Sequence, residues 1–524
     1  MRSFVSRSAF GIAAGLLSLS FLIGPAATFV RADDGESSKA AVEKNDAAKK
    51  DDKSDEPVVT NGQVVIGDET IDYEATTGKL SLKDDTGKKL ADVFFIAYTK
   101  PGADPHTRPI TFAFNGGPGS SSVWLHMGML GPRRIAFPED ASSLKPPYLA
   151  IENAYSLLDT TDLVFIDPVS TGFSRPAEPD KKSQFHGYDE DVRSVGQFIY
   201  DYTSKYQRWL SPKYLLGESY GGIRAVGLTG YLQERYNYEL NGIVIVSGVI
   251  NFQTLRFGAG NDLAYVCFLP SYTATAWYHG RLDEELQGKS VEEAVQEAEK
   301  FAGGAYAAAL LKGDALAEKK KDAIAEQYAR LTGLSAEFVK RNHLRVSQGR
   351  FSKELKRDEG RTAGRFDSRY LGTDRDDAGE STEYDPSAAA LFGPFTATIN
   401  DYLRRDLHYS EDRVYEILTG NVQPWSYSRF EGRYVDATET LRKAMTANPA
   451  LQVYIACGYY DLATPHYAME YTVDHLMLNQ SLRDNIRFGY FEGGHMMYVH
   501  EPSLVDLKTQ LVEFYHASDN VDEQ

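Results

Sequence analysis

Cysteine is scarce in this sequence, which excludes a fold that depends on several disulfides. The 524 residues include only Cys267 and Cys457, so at most one disulfide can form within the chain. A chain of this length can bury a core large enough to fold without crosslinks, and two buried thiols are the expected state. The 11 histidines are scattered, and no cysteine–histidine cluster has the spacing of a zinc site. The sequence therefore predicts no metal.

Basic residues are outnumbered by acidic ones. The chain has 56 Lys and Arg against 74 Asp and Glu, a formal net charge of −18. Proteins that bind a phosphate backbone need a basic surface, so we expect no nucleic-acid partner.

The N-terminal apolar run is too short for a membrane span. Residues 9–23 fall below the roughly 20 apolar residues that a spanning helix needs. Arg2 and Arg7 precede the run and Val30-Arg31-Ala32 follows it, an order typical of a secretory signal peptide over residues 1–32. We expect an exported protein, periplasmic or secreted, with no stable membrane insertion after cleavage. An uncleaved N-terminal anchor is the alternative.

Residues 33–57 contain almost no large apolar side chains. Such a segment buries too little surface to offset its ordering entropy, so it is predicted to be a disordered charged linker. The folded part is expected to begin near Val58.

The folded part begins with short strand patterns at residues 64–66, 71–73, 80–82 and 93–98, separated by turn residues, which predict an antiparallel entry to a sheet. Continuous apolar strands follow, and these are typical of a parallel sheet covered by helices on both faces. They lie at residues 110–114, 162–166, 214–216, 243–246, 451–456 and 486–491. A helical pattern over 188–206 intervenes, so the fold class is predicted to be α/β.

The middle of the chain has a different composition. Residues 283–344 are rich in Ala, Glu, Lys and Leu, whereas 357–385 are polar and resemble an irregular loop. We therefore divide the folded part into a first core segment (58–249), a mainly helical cap insertion (250–384) and a second core segment (385–524). The insertion is expected to pack over the carboxyl edge of the sheet, where open α/β folds bind their ligands.

Gly217-Glu218-Ser219-Tyr220-Gly221 has the Gly-x-Ser-x-Gly form of a nucleophile elbow. An apolar strand precedes it and apolar residues at helical spacing follow it, which is the strand–turn–helix context that the motif requires. The small glycines allow the strand and the helix to approach each other around the strained serine. Ser219 is therefore the candidate nucleophile.

A serine nucleophile needs a base, and the base needs a third group to orient it. In this class the chain order is serine, acid, histidine, each after a later strand. Asp461 follows the strand pattern at 451–456, and Gly493-Gly494-His495 follows the one at 486–491. Ser219, Asp461 and His495 are therefore the predicted triad.

A glycine-rich stretch, Asn115-Gly116-Gly117-Pro118-Gly119, follows the strand pattern at 110–114. A second oxyanion N–H is expected from such an early loop. A phosphate loop is the alternative, but no lysine follows in the P-loop pattern and no G-x-G-x-x-G is formed.

Together these motifs resemble the signature blocks of the serine carboxypeptidase family, in a bacterial-type exported member. The similar blocks are 115–122, 217–222, Asp461 and 494–496, with a further block at 164–174. The resemblance implies an α/β-hydrolase fold with a mostly parallel sheet, no cofactor, and removal of single residues from peptide or protein C-termini.

The resemblance also implies site roles beyond the triad. The N–H groups of Gly117 and Tyr220 would form the oxyanion hole, and Asn115, Gly116 and Glu218 would hold the terminal carboxylate of the substrate. A carboxyl group binds a carboxylate only when the two share a proton, so this activity should favour acid pH.

The chain departs from the family pattern beside these residues. Met129 stands where the family usually has a second glutamate, Ala113 where it has tryptophan, and Ser120 where it has cysteine. Recognition of the terminal carboxylate is then either weakened or shared with Arg133 or Arg134. An esterase or acyltransferase on the same triad is therefore the second hypothesis, and a catalytically silent peptide-binding protein is the third.

Overall fold

A ten-stranded sheet forms the centre of residues 56–519, which are the residues that the computed structural model describes. The predicted signal peptide and all but the last two residues of the predicted linker lie outside this range.

We number the nine longer strands of the sheet in chain order, and a short tenth strand, Arg175–Pro176, pairs with β3. They are β1 (Val58–Ile66), β2 (Glu69–Lys83), β3 (Lys89–Thr99), β4 (Ile110–Phe114), β5 (Asp162–Ile166), β6 (Lys213–Glu218), β7 (Gly242–Val246), β8 (Gln452–Gly458) and β9 (Ile486–Phe491). Two small hairpins lie apart from the sheet, Arg133–Ile135 with Ala150–Glu152 and Thr362–Ala363 with Leu371–Gly372.

The sheet has the order β1-β2-β3-β5-β4-β6-β7-β8-β9. The first three strands and β5 pair antiparallel, and all pairs from β5 through β4 to β9 are parallel. The predicted antiparallel entry and parallel remainder are thus confirmed. β9 is only partly buried because it is the edge strand, and Arg487 and Tyr490 are exposed.

One predicted boundary is wrong. The apolar patterns around Ile71 and Leu80 were expected to be separate strands, but both belong to the continuous β2. Gly78, between them, is not a turn residue. A Cβ there would lie 2.8 Å from Pro57 Cα, so the glycine allows close packing of the chain entry against β2.

We number the helices of nine or more residues in the described range. They are α1 (Tyr188–Lys205), α2 (Tyr220–Tyr236), α3 (Leu263–Tyr278), α4 (Val291–Phe301), α5 (Glu318–Thr332), α6 (Pro386–Arg405), α7 (Thr438–Ala447), α8 (His466–Asp474) and α9 (Glu501–Asp519). Shorter α-helical segments are Val123–Leu125, Glu284–Gln287, Ala307–Leu310, Ala336–Arg341, Gln348–Glu354 and Gln480–Arg483. π-Helical turns occur at His126–Leu130 and Ala302–Tyr306. No helix within residues 56–519 combines the length and hydropathy needed to cross a bilayer.

The core covers both faces of the sheet. Along β7, Ile243 and Ile245 pack into one apolar cluster, and Val244 and Val246 pack into another on the opposite face. This two-sided burial explains why the central strands have continuous apolar sequences. The free thiols Cys267 and Cys457 are both buried, as predicted.

The helices α3, α4 and α5 share a third apolar cluster, which includes Phe268, Tyr272 and Tyr328. Leu462 belongs to the same cluster, directly after Asp461. The helical segment thus packs against the loop that follows β8, at the carboxyl end of the parallel strands.

Candidate active site

Ser219 lies on a sharp turn between β6 and α2, with a φ of +62° and a ψ of −125°. Non-glycine residues rarely adopt positive φ, and such strain is concentrated at functional sites. The neighbouring glycines make the turn possible. A Cβ on Gly217 would lie 2.1 Å from Gly221 O, and one on Gly221 would lie 2.9 Å from Phe114 O. The structure therefore has the strained elbow that the motif predicted.

Asp461 and His495 follow the neighbouring strands β8 and β9 and are in contact, with His495 Nδ1 2.8 Å from Asp461 Oδ2. The carboxylate also accepts hydrogen bonds from the Ala463 N–H at 2.7 Å and from the Thr464 N–H at 2.9 Å. It is fully buried. With Nδ1 bearing the proton toward Asp461, Nε2 is the nitrogen available as a base.

The surroundings of His495 change its pKa in opposite directions. Burial lowers it, whereas the charge and hydrogen bond of Asp461 and the charge of Glu218 raise it, and the net effect is a raised pKa. Negative neighbours therefore stabilise the imidazolium that forms when this histidine takes a proton.

Ser219 and His495 are not hydrogen-bonded to each other among the hydrogen bonds of residues 56–519. Ser219 is instead held through its backbone, with its N–H donating to Val246 O at 3.0 Å. Hydrogen bonds between nucleophile and base are often long without substrate and tighten in the reacting complex. The fold thus places the serine and the histidine at the same carboxyl end of the parallel strands, after β6 and after β9.

The glycine-rich loop after β4 lies against the elbow. A Cβ on Gly116 would be 2.4 Å from Tyr220 N, so the loop backbone reaches the first turn of α2 only because residue 116 has no side chain. Gly117 has a φ of +101°, a conformation that favours glycine. Within the described residues, the N–H groups of Gly117 and Tyr220 donate to no acceptor, so both remain available as oxyanion donors.

A buried ion pair between Arg224 and Asp191 is hydrogen-bonded to this loop. Arg224 Nε donates to Asp191 Oδ2 at 2.6 Å, and Arg224 Nη1 donates to Asn115 O. Both side chains are almost completely buried. The guanidinium also lies 5.2 Å from the centre of the Tyr220 ring. Arg224 therefore joins α1, α2 and the glycine-rich loop, a role that the sequence reasoning missed.

Glu218, next to the serine, is buried and accepts a hydrogen bond from Tyr498 OH at 2.6 Å. Burial raises its pKa to about 7, although the charge of His495 and the Tyr498 hydrogen bond act in the opposite direction. Asn115 Oδ1 accepts from the Leu125 N–H at 3.2 Å, while Nδ2 is buried and has no hydrogen-bond partner among residues 56–519. The group thus combines a carboxyl that is readily protonated with a buried amide that lies close enough to lower the pKa of that carboxyl.

Tyr498 was not predicted, although it follows His495 by only three positions. Its ring requires a glycine in the segment that contains Met129, since a Cβ on Gly128 would be 2.5 Å from Tyr498 Cε2. Met129 itself is buried. The one feature of the sequence that could have pointed to Tyr498 was Gly128, which directly precedes Met129, the position of the missing glutamate.

The two arginines considered for the substrate carboxylate lie elsewhere. Arg134 forms an ion pair with Glu501 at 2.7 Å, and its guanidinium lies 5.4 Å from the centre of the Tyr155 ring. Arg133 lies in the strand Arg133–Ile135, which pairs with Ala150–Glu152. Among the described hydrogen bonds and ion pairs, neither joins Asn115 or Glu218.

A loop from the helical segment holds the histidine. His495 N–H donates to Phe366 O, and the Phe366 and His495 rings are 5.2 Å apart. The Leu462 N–H donates to Arg365 O at 3.1 Å. Residues 365–368 therefore contact the loops of both the acid and the base, within a segment that the sequence indicated only as irregular.

A serine on a strained turn after one parallel strand, with an acid and a histidine after two later ones, defines an α/β-hydrolase. Residues 67–500 match the family model for serine carboxypeptidases. The chain therefore belongs to the serine carboxypeptidase family.

Two curated relatives match part of the chain. Carboxypeptidase Y of Komagataella phaffii is 30% identical over 159 residues, which is 30% of this chain and 28% of that protein. Serine carboxypeptidase-like 36 of Arabidopsis thaliana is 29% identical over 163 residues, 30% of this chain and 31% of that protein. These matches thus span about a third or less of each relative.

A solved structure matches much more of the chain. The prohormone-processing carboxypeptidase Kex1 of Saccharomyces cerevisiae superposes with a TM-score of 0.52 over 85% of this chain and 91% of that one, at 17% identity. At this identity, the match establishes a shared fold.

Proposed function

We propose that this protein is a serine carboxypeptidase that hydrolyses the last peptide bond of peptides or proteins. The observation that carries the proposal is the group formed by Glu218, Tyr498 and Asn115 directly beside the elbow. A buried carboxyl with a pKa of about 7 and an adjacent buried amide suit the terminal carboxylate of a peptide. Membership of the serine carboxypeptidase family supports the same activity.

In the proposed reaction, Ser219 Oγ attacks the carbonyl carbon of the last peptide bond, and His495 Nε2 takes the hydroxyl proton. The N–H groups of Gly117 and Tyr220 stabilise the negative oxygen. Each donor lowers the activation free energy by about 3–4 kcal/mol. His495 returns the proton to the departing amine, and the C-terminal amino acid leaves. A water molecule, deprotonated by His495, then attacks the acyl ester on Ser219. The ester bond breaks, His495 returns the proton to Ser219 Oγ, and the shortened peptide leaves.

The terminal carboxylate is proposed to bind to Asn115 Nδ2, the Gly116 N–H and protonated Glu218. Tyr498 OH donates to the Glu218 carboxyl and holds it in place, and Met129 stands at the position where the family usually has a second glutamate. A phenol donor fixes the orientation of Glu218 and adds no second negative charge to the pocket. Tyr498 thus compensates for Met129, and neither Arg133 nor Arg134 is needed.

The first test compares substrates that differ only at the terminus. Blocked dipeptides with a free or an amidated C-terminus are incubated with purified wild-type protein and with Ser219→Ala. We expect cleavage of the free acid only, and no turnover by the variant. A fluorophosphonate probe should label the wild type but not Ser219→Ala.

Other results would support the competing hypotheses. Equal cleavage of both termini, or preferred hydrolysis of esters, would favour the esterase or acyltransferase that Met129 suggests. No turnover together with no labelling of Ser219 would leave a silent peptide-binding protein.

We also propose export, on the basis of the signal-like pattern over residues 1–32. The proposed partners are peptide or protein C-termini. Detection of the mature protein outside the cytoplasm, with an N-terminus following Ala32, is the corresponding measurement.

A further inference from the structure

Outside the catalytic group, three side chains with metal-binding donors converge. They are Glu299, His466 and Glu470, and one donor atom from each lies within 4.8 Å of the other two. Glu299 Oε1 is 3.0 Å from His466 Nε2. No other group of three or more such residues occurs among residues 56–519.

The positions of these residues are fixed by two helices. His466 and Glu470 are four residues apart on α8, so they share one face of that helix. Glu299 comes from α4, in the helical segment of the chain. A ligand held by all three would therefore crosslink α4 to α8.

The imidazole of His466 is oriented as in a metal-binding histidine. It is fully buried, and its Nδ1 is 3.3 Å from Ser271 Oγ, which leaves Nε2 directed at the carboxylates. The Tyr459 and Tyr490 rings pack edge-on against it at 5.5 Å and 6.1 Å between ring centres. Metal-ligating histidines commonly have their second nitrogen held by such an outer partner.

The charges of the group are not balanced by basic side chains. Within the described range, no Lys or Arg side-chain nitrogen lies within 4.0 Å of a carboxylate oxygen of Glu299 or Glu470, and the Glu470 side chain accepts a hydrogen bond only from Tyr490 OH, at 2.7 Å. Burial and the charge of Glu299 both raise the pKa of Glu470, although His466 opposes them. The pair of carboxylates thus has a deficit of positive charge.

We propose that Glu299, His466 and Glu470 bind a divalent transition-metal ion, with Zn²⁺ as the best fit. One imidazole nitrogen and two carboxylate oxygens are a donor set that Zn²⁺ accepts, at about 2.0–2.2 Å from each donor. Donors at that distance from one ion lie roughly 3–4 Å apart. The donor atoms in this structure, within 4.8 Å of one another and 3.0 Å apart for Glu299 and His466, are close to that spacing.

The proposed ion would have a structural role. The chain has no disulfide in the described residues, and α8 begins five positions after Asp461. The crosslink would therefore connect the helical segment to the element that follows the catalytic acid. No step of the proposed hydrolysis uses this ion, so the two proposals are tested separately.

The test uses full-length protein whose affinity tag has been removed and whose metals have been stripped with EDTA. ZnCl₂ is titrated calorimetrically, and CoCl₂ is added in parallel as a spectroscopic probe. We expect one saturable Zn²⁺ site, visible d–d absorption from Co²⁺, and a higher Tm with Zn²⁺.

The variants are Glu299→Gln and Glu470→Gln, since both glutamates are partly exposed whereas His466 is part of the packing between α3 and α8. Loss of an outer-shell partner typically weakens metal binding about 10–100-fold, so loss of a ligand should weaken it by at least roughly 100-fold. Glu292→Gln, an exposed site on the same helix, is the matched control and should bind normally.

Two results would overturn the proposal. The first is an absence of saturable Zn²⁺ binding by the wild type, which would leave a simple Glu299–His466 ion pair. The second is binding that persists unchanged in both glutamine variants, which would place the metal elsewhere. Circular dichroism of each metal-free variant verifies that it is folded.

Discussion

At the scale of single residues, Glu218 and His495 control two different steps with opposite needs. Glu218 must be protonated to bind a carboxylate, whereas His495 must be neutral to take the serine proton. Each affects the pKa of the other through its charge. Because they titrate as an interacting pair, measured pKa values belong to the pair.

The pH dependence follows from these two groups. Above pH about 7 Glu218 loses its proton, so binding of the free-acid substrate should weaken as the pH rises. As the pH falls through the raised pKa of His495, the base becomes protonated and kcat should fall. We expect a narrow bell-shaped profile of kcat/KM. A slow ester substrate without a carboxylate serves as the control. The pH profile measured with it should lack the alkaline limb and keep the acidic limb.

Glu218→Gln should raise KM for free-acid substrates more than it lowers kcat, because glutamine cannot share a proton with the carboxylate. It also removes a charge that raises the pKa of His495. The acidic limb of kcat/KM, which reports the free enzyme, should therefore move to lower pH. Michaelis constants and pH profiles measure both effects, and an unchanged KM would remove Glu218 from carboxylate binding.

Tyr498→Phe removes the hydrogen bond that lowers the pKa of Glu218. Glu218 should then stay protonated to higher pH, so the alkaline limb of kcat/KM should move upward. Loss of the orienting bond, worth about 1 kcal/mol, should raise KM roughly 5-fold at acid pH. Tyr328→Phe is the control, since that buried hydroxyl has no partner in the described residues. Equal effects in the two variants would contradict the assignment.

The sequence predicted most of the candidate site because a serine, an acid and a histidine are each expected directly after a strand in this fold. Ser219, Asp461 and His495 each follow a parallel strand, and the contact between Asp461 and His495 is observed. Tyr498 could not be found this way, because its partner Glu218 is 280 positions distant and no motif joins them.

At the scale of elements, the Arg224–Asp191 pair fixes the relation between α1, α2 and the glycine-rich loop. Removing one member of a buried ion pair leaves the other charge unpaired, at a cost of about 3–5 kcal/mol. Arg224→Met should lower the free energy of unfolding by that amount in urea titrations. The double variant with Asp191→Leu should be less destabilised, since no isolated charge remains.

Activity separates the two roles of Arg224. Both the single and the double variant lose the hydrogen bond to Asn115 O, so kcat/KM should fall in both. Arg193→Ala breaks an exposed pair with Glu190 on the same helix and should change stability by less than about 1 kcal/mol. Full activity in the double variant would show that the pair has no positioning role.

The boundaries of elements were less predictable than their existence. α1 and α2 lie close to the predicted patterns, because apolar periodicity reports one buried helix face. The sequence divided β2 into two strand patterns, around Ile71 and Leu80, whereas in the structure they form one strand and Gly78 between them accommodates Pro57. A sequence gives a glycine but not the partner that requires it.

At the scale of the whole molecule, long-range contacts were beyond the sequence. The proposed metal group joins Glu299 to residues more than 160 positions later, so ligand spacing gave no signal. The sequence of 365–368 indicated only a polar, irregular loop, yet this segment contacts both the loop that contains Asp461 and the loop that contains His495. Such contacts depend on tertiary packing, which local patterns do not encode.

The two thiols provide a test of the whole fold. Cys267 and Cys457 are buried, and burial raises the pKa of each thiol well above its usual range. Because the thiolate is the reactive form, neither should react with Ellman's reagent in the folded protein. Both should react in guanidinium, and a reductant should not change the Tm. Rapid labelling of the native protein would contradict the described packing.

The main-chain anchor of His495 on Phe366 has a consequence for control of the enzyme. A small molecule that binds between residues 365–368 and the loop after β9 would not have to resemble a peptide in order to inhibit the enzyme. It would act by misaligning the imidazole, so inhibition would be noncompetitive with substrate. An inhibitor that acts on the contact between residues 365–368 and His495 would therefore not need to bind at the elbow.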